Sequence, residues 1–424
     1  MKTNVRKHSC FWLMLFSSVS VHLFAQDTLK ITLPEAENIF LQKNLTLIAS
    51  KYNISIAQAQ VIQARLYNNP NISLASAIYN PDAKKWFDVS NATGEYAVAL
   101  QQMIILANKR ARQVHLAETN SAIVEQQFYD LLRTLSYTLR SDFYSLYYLQ
   151  NSLRVYDRQI LSLQKLDSAY RILLAKGMVA LKDADRIRSL LYSLKAEQLD
   201  LQNQVDDVEA ELQLLLQNNK LVYEPVTDEK SLEDTGKLSL QDLIDSAYNN
   251  RNDLKAARLT LLYNRENYSL QKAMAVPDLN LGASFDKRGT YTENASILTA
   301  AIDLPFFNRN QGNIKASKLA IEQSKVLVDL QAQTVENDVQ RAYQKTLKAD
   351  KMLRTVDSRF KDEFENLLQG VLENFQKKNI SLLEFADFYD AYRNNVLQLN
   401  QLQNAKMQAV EALNLSVGKI IINP

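Results

Sequence analysis

Two matching stretches decide the fold: Pro70-Asn71-Ile72-Ser73-Leu74 and, 207 residues later, Pro277-Asp278-Leu279-Asn280-Leu281. In each, apolar residues occupy every second position after the proline, as in a β-strand. The match continues without a gap back to two helix openings, at Thr32 and Ser239, each with an acidic residue three positions on. The chain is therefore a tandem duplication.

A further match at an offset near 200, between residues 108–117 and 308–316, places about seven extra residues of the first copy within residues 80–94. Each copy then holds one hairpin, at about 71–104 and about 278–305, with strands of about nine residues, the length of a tilted membrane strand. A sheet over an ordinary core would alternate in the same way. Four strands cannot close a barrel, so a membrane barrel requires several copies of the chain.

The membrane interpretation predicts which residues meet lipid. Leu74, Leu100, Leu281 and Leu304 would face lipid, whereas Ser73 and Asp303 would face the lumen. Aromatic residues near the strand ends would form the interfacial belts: Tyr67, Tyr79, Trp86, Phe87, Tyr291, Phe306 and Phe307.

Long helices dominate the rest of the chain, which has only 8 glycines and 7 prolines in 424 residues. Residues 108–176 contain neither, and residues 313–377 contain only Gly370. Lateral support comes from a coiled-coil seam: Leu201, Val205, Val208, Leu212 and Leu215. Segments 45–68 and 180–217 together match the long helix in length, so two short helices would stack end to end along it. Residues 218–239 would form an irregular link.

Residues 1–25 resemble a secretory leader, with Lys2, Arg6 and Lys7 before a short apolar run and cleavage near Ala25-Gln26. Cys10 precedes that run, so no lipid anchor is expected. The remaining chain has 46 basic and 47 acidic residues, no cysteine, and His115 as its one histidine. This composition disfavours nucleic-acid binding and excludes disulfides, thiol catalysis and Cys/His zinc sites within one chain.

The whole mature chain resembles the TolC family of outer-membrane efflux channels, in the paired features above and in two further segments, Leu304-Pro305-Phe306-Phe307 and the turn at residues 176–183. Residues 40–45 and 80–89 are most similar to the CzcC/CusC-like channels of metal-efflux pumps. The resemblance implies an α+β membrane protein in the outer membrane of a Gram-negative bacterium. A homotrimer would form a β-barrel from four strands per chain, continued by a helical coiled-coil tunnel in the periplasm. Its partners would be a periplasmic adaptor and an inner-membrane RND pump.

The expected organisation is a leader (1–25), a first repeat (26–217), a mid-height linker (218–239), a second repeat (240–418) and a tail (419–424). Two turns would lie at the far end of the long helices and face the adaptor, at Lys176, Gly177, Met178 and Val179 and at Asn379 and Ile380. A helix C-cap explains Gly177 equally well.

The periplasmic gate would consist of Glu384 and Asp387, three residues apart and so on one face of the returning helix. In the family, aspartates at the matching positions ring the closed entrance. Glu384 departs by one methylene, and the first repeat has Asp183 and Arg186 there. Stabilisation of a helix N-terminus by acidic residues is the alternative explanation.

These features favour a passive exit duct without catalytic residues, cofactor or metal site. No GxxxxGK[ST] or HExxH motif occurs, and no acid, base and nucleophile cluster suggests an enzyme. An exported coiled-coil scaffold, with the hairpins as mere linkers, is the alternative.

Overall fold

The computed structural model describes residues 27–227, 238–288, 292–356 and 360–422. The predicted leader and Tyr291 of the expected aromatic belt lie outside these ranges. The described residues form nine α-helices and eight strands, arranged in two successions of the same order. That order is a strand, two short helices, a hairpin, a long helical segment and a returning helix. The long segment is one helix in the first succession and two in the second.

The first succession extends from residue 27 to residue 216. It consists of β1 (Asp27–Thr32), α1 (Leu33–Lys43), α2 (Leu45–Arg65), β2 (Asn71–Ser76), β3 (Tyr79–Asn80), β4 (Lys85–Trp86), β5 (Tyr96–Ile104), α3 (Lys109–Ala175) and α4 (Leu181–Leu216). The second extends from residue 221 to residue 417. It consists of β6 (Leu221–Val226), α5 (Leu240–Asn250), α6 (Asn252–Met274), β7 (Leu279–Arg288), β8 (Glu293–Ile302), α7 (Gln311–Arg354), α8 (Phe360–Gln376) and α9 (Leu382–Val417).

Both helix openings read from the sequence are confirmed. Glu35 Oε2 accepts hydrogen bonds from the backbone N–H and the hydroxyl of Thr32, at 2.9 and 2.8 Å. In the second repeat, the N–H of Asp242 donates to the hydroxyl oxygen of Ser239 at 3.4 Å. The side chains thus satisfy donors that a helix N-terminus leaves without partners.

The first long helix is also confirmed. α3 has 67 residues, about 100 Å at 1.5 Å per residue. α2 and α4 both pack along it, which agrees with two short helices stacked beside one long one. Within the described ranges, no helix combines the length and the hydropathy of a membrane-crossing helix.

The expectation for the second long helix is wrong, because α7 ends at Arg354 instead of continuing to residue 377. The hydroxyl of Thr355 donates to the carbonyl of Met352 at 2.6 Å, competing with the helical pattern at this point. Thr355 and Val356 are both β-branched, which lowers helix propensity. Lys351 and Arg354 lie in the last turn of α7, where their positive charges interact favourably with the negative end of the helix dipole and so stabilise a C-terminus at this point. A helix can therefore end without glycine or proline.

The linker is not irregular throughout, because residues 221–226 form β6, which pairs in parallel with β1. Ile31 pairs with Pro225, a position that suits proline because each strand of this two-stranded sheet has a free edge. Ile31 and Tyr223 are buried against the core of the first repeat. Strands so far apart in sequence give no local signal of their pairing.

Each repeat has its own apolar core. The predicted seam residues Val205, Leu212 and Leu215 are buried against the apolar residues of α3, and Val208 packs on the same cluster. In the second repeat, α5, α7 and α9 enclose a matching cluster. A third cluster, around Phe375 and Phe385, joins the two repeats near the far turns.

Candidate functional site

The four long strands form one antiparallel sheet in the order β2-β5-β7-β8. Residues that pair directly across antiparallel strands point to the same side. Ile72 pairs with Leu100, Leu100 with Ala283, and Ala283 with Leu298. The face that they share is mostly apolar, with Ser76, Gln102 and Ser296 as polar exceptions. It also carries Leu74, Val98, Ile104, Leu279, Leu281, Phe285 and Ile302.

The opposite face of the sheet carries small and polar side chains. Ser73 pairs with Ala99 and Ala99 with Ser284. The rest of this face includes Asn71, Gln101, Asn280, Gly282, Asp286 and Thr299, with Met103 and Ile297 as larger apolar exceptions. The register thus extends the predicted alternation across all four strands.

The described chain leaves the apolar face uncovered. Leu298 is 88% exposed and Leu74 is 75% exposed, so this sheet does not cover an ordinary core. Phe306 and Phe307, where β8 leads into α7, are also exposed, Phe307 to 95%. An uncovered apolar surface of this kind marks contact with a membrane or another protein.

The sheet and the helices are open at the same two edges. β2 and β8 are the edge strands. Below them the helices pack in the order α2-α3-α6-α7. The chain passes directly from α2 into β2 and from β8 into α7, so one edge of the protomer is β2 with α2 and the other is β8 with α7.

Each edge helix carries an exposed apolar stripe on the side away from its neighbour. On α2, Ala57 is buried toward α3, and the opposite side presents Leu45, Ile48, Tyr52, Ile56 and Ile62. On α7, Ser317 and Ser324 are buried toward α6, and the opposite side presents Leu319, Val326, Leu327 and Leu330. Leu45, Ile48, Tyr52 and Ile56 follow one another at three or four residues, and Leu319, Val326 and Leu330 at seven and four. Such spacings are typical of a helix that packs against another helix.

The two far turns have the same backbone structure. Gly177 has φ +68° and Lys378 has φ +62°, so lysine adopts in the second repeat the left-handed conformation that glycine adopts in the first. The N–H of Met178 donates to the carbonyl of Leu173, and the N–H of Asn379 to that of Asn374, both at 2.9 Å. This is the Schellman ending of a helix, so a structural requirement is one explanation of Gly177.

The predicted tip residues differ in their surroundings. Lys176, Gly177, Met178 and Asn379 are exposed, and Val179 is half-buried. Ile380 instead packs on the apolar cluster around Phe375 and Phe385. Met178, 62% exposed, is therefore the most accessible apolar side chain of the first turn.

Glu384 and Asp387 both lie exposed in the first turns of α9. Glu384 Oε2 accepts from the N–H and the hydroxyl of Ser381, both at 2.8 Å, and the N–H of Glu384 donates to Ser381 Oγ. These bonds, that of the backbone foremost, lower the pKa of Glu384 below its usual value. Glu384 thus caps α9 and also keeps a negative charge at the turn.

Sequence reasoning missed the two open edges, although the stripe on α2 was readable as a heptad pattern. It also missed Lys378 as the counterpart of Gly177, because nothing local predicts a left-handed lysine. Among the described residues, no three His, Cys, Asp or Glu side chains lie together as a metal site.

Residues 243–419 match the sequence model of the family described as outer membrane efflux protein. No curated protein matches the chain by sequence.

Solved structures resemble the chain over almost its full length. CusC is 17% identical, with TM-score 0.71 over 91% of this chain and 92% of its own. Campylobacter jejuni CmeC is 13% identical, with TM-score 0.73 over 91% and 85%. Vibrio cholerae VceC is 16% identical, with TM-score 0.70 over 91% and 96%. Residues 243–419 thus match the family of outer membrane efflux proteins, and about nine-tenths of the chain has the fold of the solved outer-membrane channels.

Proposed function

We propose that the protein is the outer-membrane channel of a tripartite efflux pump, a passive exit duct in which three copies surround one pore. The observation that carries this proposal is the single sheet with an apolar face, a small polar face and two open edges. A ring of copies would turn the apolar face to lipid and the polar face to a water-filled lumen.

The strand number requires more than one copy, and the number three comes from the family resemblance. One chain supplies four membrane strands, two copies would supply about the smallest number that closes a barrel, and three supply twelve. The α2–β2 edge differs from the β8–α7 edge, so copies would join head to tail, and such contacts form a ring when the rotation closes. Trimers of the TolC family support the number three.

The other partners are proposed on the basis of the family resemblance. A periplasmic adaptor would dock at the far turns, and an inner-membrane RND pump would supply the energy and select the substrate. Heavy-metal cations are the proposed substrate class, supported by residues 40–45 and 80–89. The fold match to CusC is about as strong as those to CmeC and VceC, so it adds nothing to this choice.

Planar-bilayer recordings on the purified protein test the channel directly. We expect discrete conductance steps, because twelve strands would enclose an aqueous lumen. Cell fractionation is the complementary experiment. Recovery in the soluble periplasm, without conductance, would overturn the channel and favour the scaffold.

We further propose that Glu384 and Asp387 form the periplasmic gate. Three copies would bring six carboxylates around one axis, and their mutual repulsion would favour bound cations. The variant Glu384→Gln with Asp387→Asn removes the charges while glutamine still serves the helix cap. We expect lower cation selectivity and weaker block by a trivalent cation in bilayer recordings.

The single variant Glu384→Gln and the wild-type thermal unfolding curve serve as controls for helix capping. Unchanged selectivity and block in the double variant, with normal folding, would assign both carboxylates to the helix end alone.

The far turns give a separate prediction about the adaptor. Met178→Trp is expected to abolish efflux in cells while the trimer yield stays normal, because the side chain is 62% exposed and a larger ring there would project from the turn and not into the core. Met178→Leu, of similar volume, should retain efflux. Ile380→Trp should reduce trimer yield as well, because Ile380 packs on the Phe375 cluster. Loss of trimer in Met178→Trp would show that this turn serves folding and not docking.

A further inference from the structure

The two hairpins differ in the connection at their outer ends. β7 and β8 are joined across residues 289–292, whereas β2 and β5 are joined across residues 77–95. The longer connection includes the small hairpin β3–β4, in which Tyr79 pairs with Trp86. It contains the insertion expected at residues 80–94, and we call residues 77–95 the outer loop.

Buried polar groups hold the outer loop in one conformation. Asn80 is buried; its amide donates to the carbonyl of Thr93 at 2.6 Å, and its side-chain oxygen accepts from the N–H groups of Asp82 and Ala83. Asp88, also buried, accepts from the hydroxyl of Thr93 at 2.6 Å and from the N–H of Ser90 at 3.0 Å. Hydrogen bonds from Thr93 and Ser90 lower the pKa of Asp88 to about 2, so the loop keeps these bonds down to strongly acidic pH.

The ordered loop presents apolar side chains to the outside. Trp86 is 70% exposed and lies 5.1 Å from the Tyr79 ring, measured between ring centroids. Phe87 is equally open and has φ +46°, a conformation uncommon for a bulky residue. Ile78 and Val89 are also largely exposed. Two exposed lysines, Lys84 and Lys85, directly precede Trp86.

The outer loop is joined directly to the sheet by backbone hydrogen bonds. Ile72 and Leu74 lie on that face of β2, and the ladder continues into the loop where the N–H of Ala77 donates to the carbonyl of Glu95. The N–H of Phe87 donates to the carbonyl of Ile78, which ties the aromatic pair 86–87 to the same strand. Tyr96 and Phe285, in ring contact at 6.3 Å, end the sheet face directly below.

We propose that the outer loop is a lipid-binding surface, with Trp86, Phe87 and neighbouring apolar side chains inserted among the lipids of the outer leaflet and Lys84 and Lys85 at their phosphate groups. The proposal rests on the channel function, which sets this end of the sheet at the outer membrane surface. Tryptophan and tyrosine favour the boundary between headgroups and acyl chains, and lysine reaches anionic headgroups from there. A loop that is already ordered loses little conformational entropy on binding.

Trp86 makes the test specific, since Trp12 lies in the predicted leader and residues 26–424 contain no other tryptophan. The trimeric protein is reconstituted into vesicles of phosphatidylcholine and phosphatidylglycerol, with and without bromine near the headgroup end of the acyl chains. We expect blue-shifted emission, strong quenching by the brominated lipids, and acrylamide quenching several-fold weaker than in the unfolded chain.

Matched variants separate lipid contact from loop folding. Phe87→Asn suits the left-handed backbone and removes the ring, so it should red-shift the emission and weaken quenching by brominated lipid. Asn91→Ser, at an exposed polar position of the loop, should change neither. Lys84→Glu with Lys85→Glu should weaken the quenching in vesicles rich in phosphatidylglycerol.

Four outcomes would overturn the proposal or its phosphate contact. Emission and acrylamide quenching typical of water would place Trp86 in solvent. Blue-shifted emission without quenching by brominated lipid would place it against protein. If the protein did not float with the vesicles, the channel function would be wrong as well. If it floated but Trp86 lay in solvent or against protein, only the lipid contact of the outer loop would be wrong. Unchanged quenching in the lysine variant would remove the phosphate contact.

Discussion

Leu100→Arg is expected to destabilise the membrane-inserted protein by about 2–4 kcal/mol, the cost of a cation on the lipid face near the midplane. The matched control is Ala99→Arg on the same strand, which should cost much less because that side chain would face an aqueous lumen. Leu100 lies between Ile72 and Ala283 in the register, whereas Ala99 lies between Ser73 and Ser284. Adjacent residues therefore test opposite faces at one depth.

Urea unfolding of the protein in lipid vesicles measures the two free energies of unfolding. Leu74→Arg and Ser73→Arg repeat the comparison on β2, near the edge of the sheet. Equal costs at both positions of each pair would show that the two faces have the same surroundings, and the barrel would then be wrong.

The strands of this sheet could be predicted because their signal is local. Alternation along Ile72, Ser73 and Leu74 needs only neighbouring residues, and the duplication supplies a second example at Leu279, Asn280 and Leu281. α3 could be predicted for a similar reason, since 69 residues without glycine or proline have few alternatives to a helix.

The β1–β6 pair could not be predicted in the same way. Pro225 argues against a strand in any local reading, and it is tolerated only because β6 has a free edge. α7 ends at Arg354, and the hydroxyl of Thr355 donates to the carbonyl of Met352 there, a contact that composition does not reveal. The β1–β6 pair arises from a contact distant in sequence, whereas low helix propensity at Thr355 and Val356 contributes to the end of α7.

In the candidate site, too, some features could be predicted from the local sequence and others required the structure. Glu384 and Asp387 were proposed from the family's matching positions, and their spacing puts them on one helix face, but the use of Glu384 in a capping box with Ser381 required the structure. The outer loop was located as an insertion, whereas its order depends on buried Asn80 and Asp88. The edges of the protomer depend on which helices are neighbours, and a sequence does not state this.

Those edges give the second prediction: cysteines at Ile56 and Leu319 should form disulfides between copies and yield a ladder that stops at three chains. Ile56 lies nine residues before the end of α2 at Arg65, and Leu319 eight residues after the start of α7 at Gln311. Both are thus about 13 Å along the helix from the end nearest the sheet. Both are exposed on the stripe of an edge helix.

Non-reducing gel electrophoresis after mild oxidation reads the result directly. Residues 26–424 contain no cysteine, so any cross-link comes from the introduced pair. Each single-cysteine variant should stay free of the ladder, because a head-to-tail contact brings α2 of one copy to α7 of the next and never α2 to α2.

Ile56→Glu should prevent assembly of the ring, because it would bury an unpaired carboxylate in every one of the three contacts, at a cost of about several kcal/mol each. Asn53→Glu, one turn earlier on the flank of the same helix, is the control and should leave assembly intact. Size-exclusion chromatography in detergent measures both. A normal trimer with glutamate at position 56, or a disulfide ladder that runs past three chains, would contradict a closed ring joined through α2 and α7. The ring closes only if each copy offers its α2 edge to one neighbour and its α7 edge to the other, so the ladder tests the closure and the glutamate tests the contact.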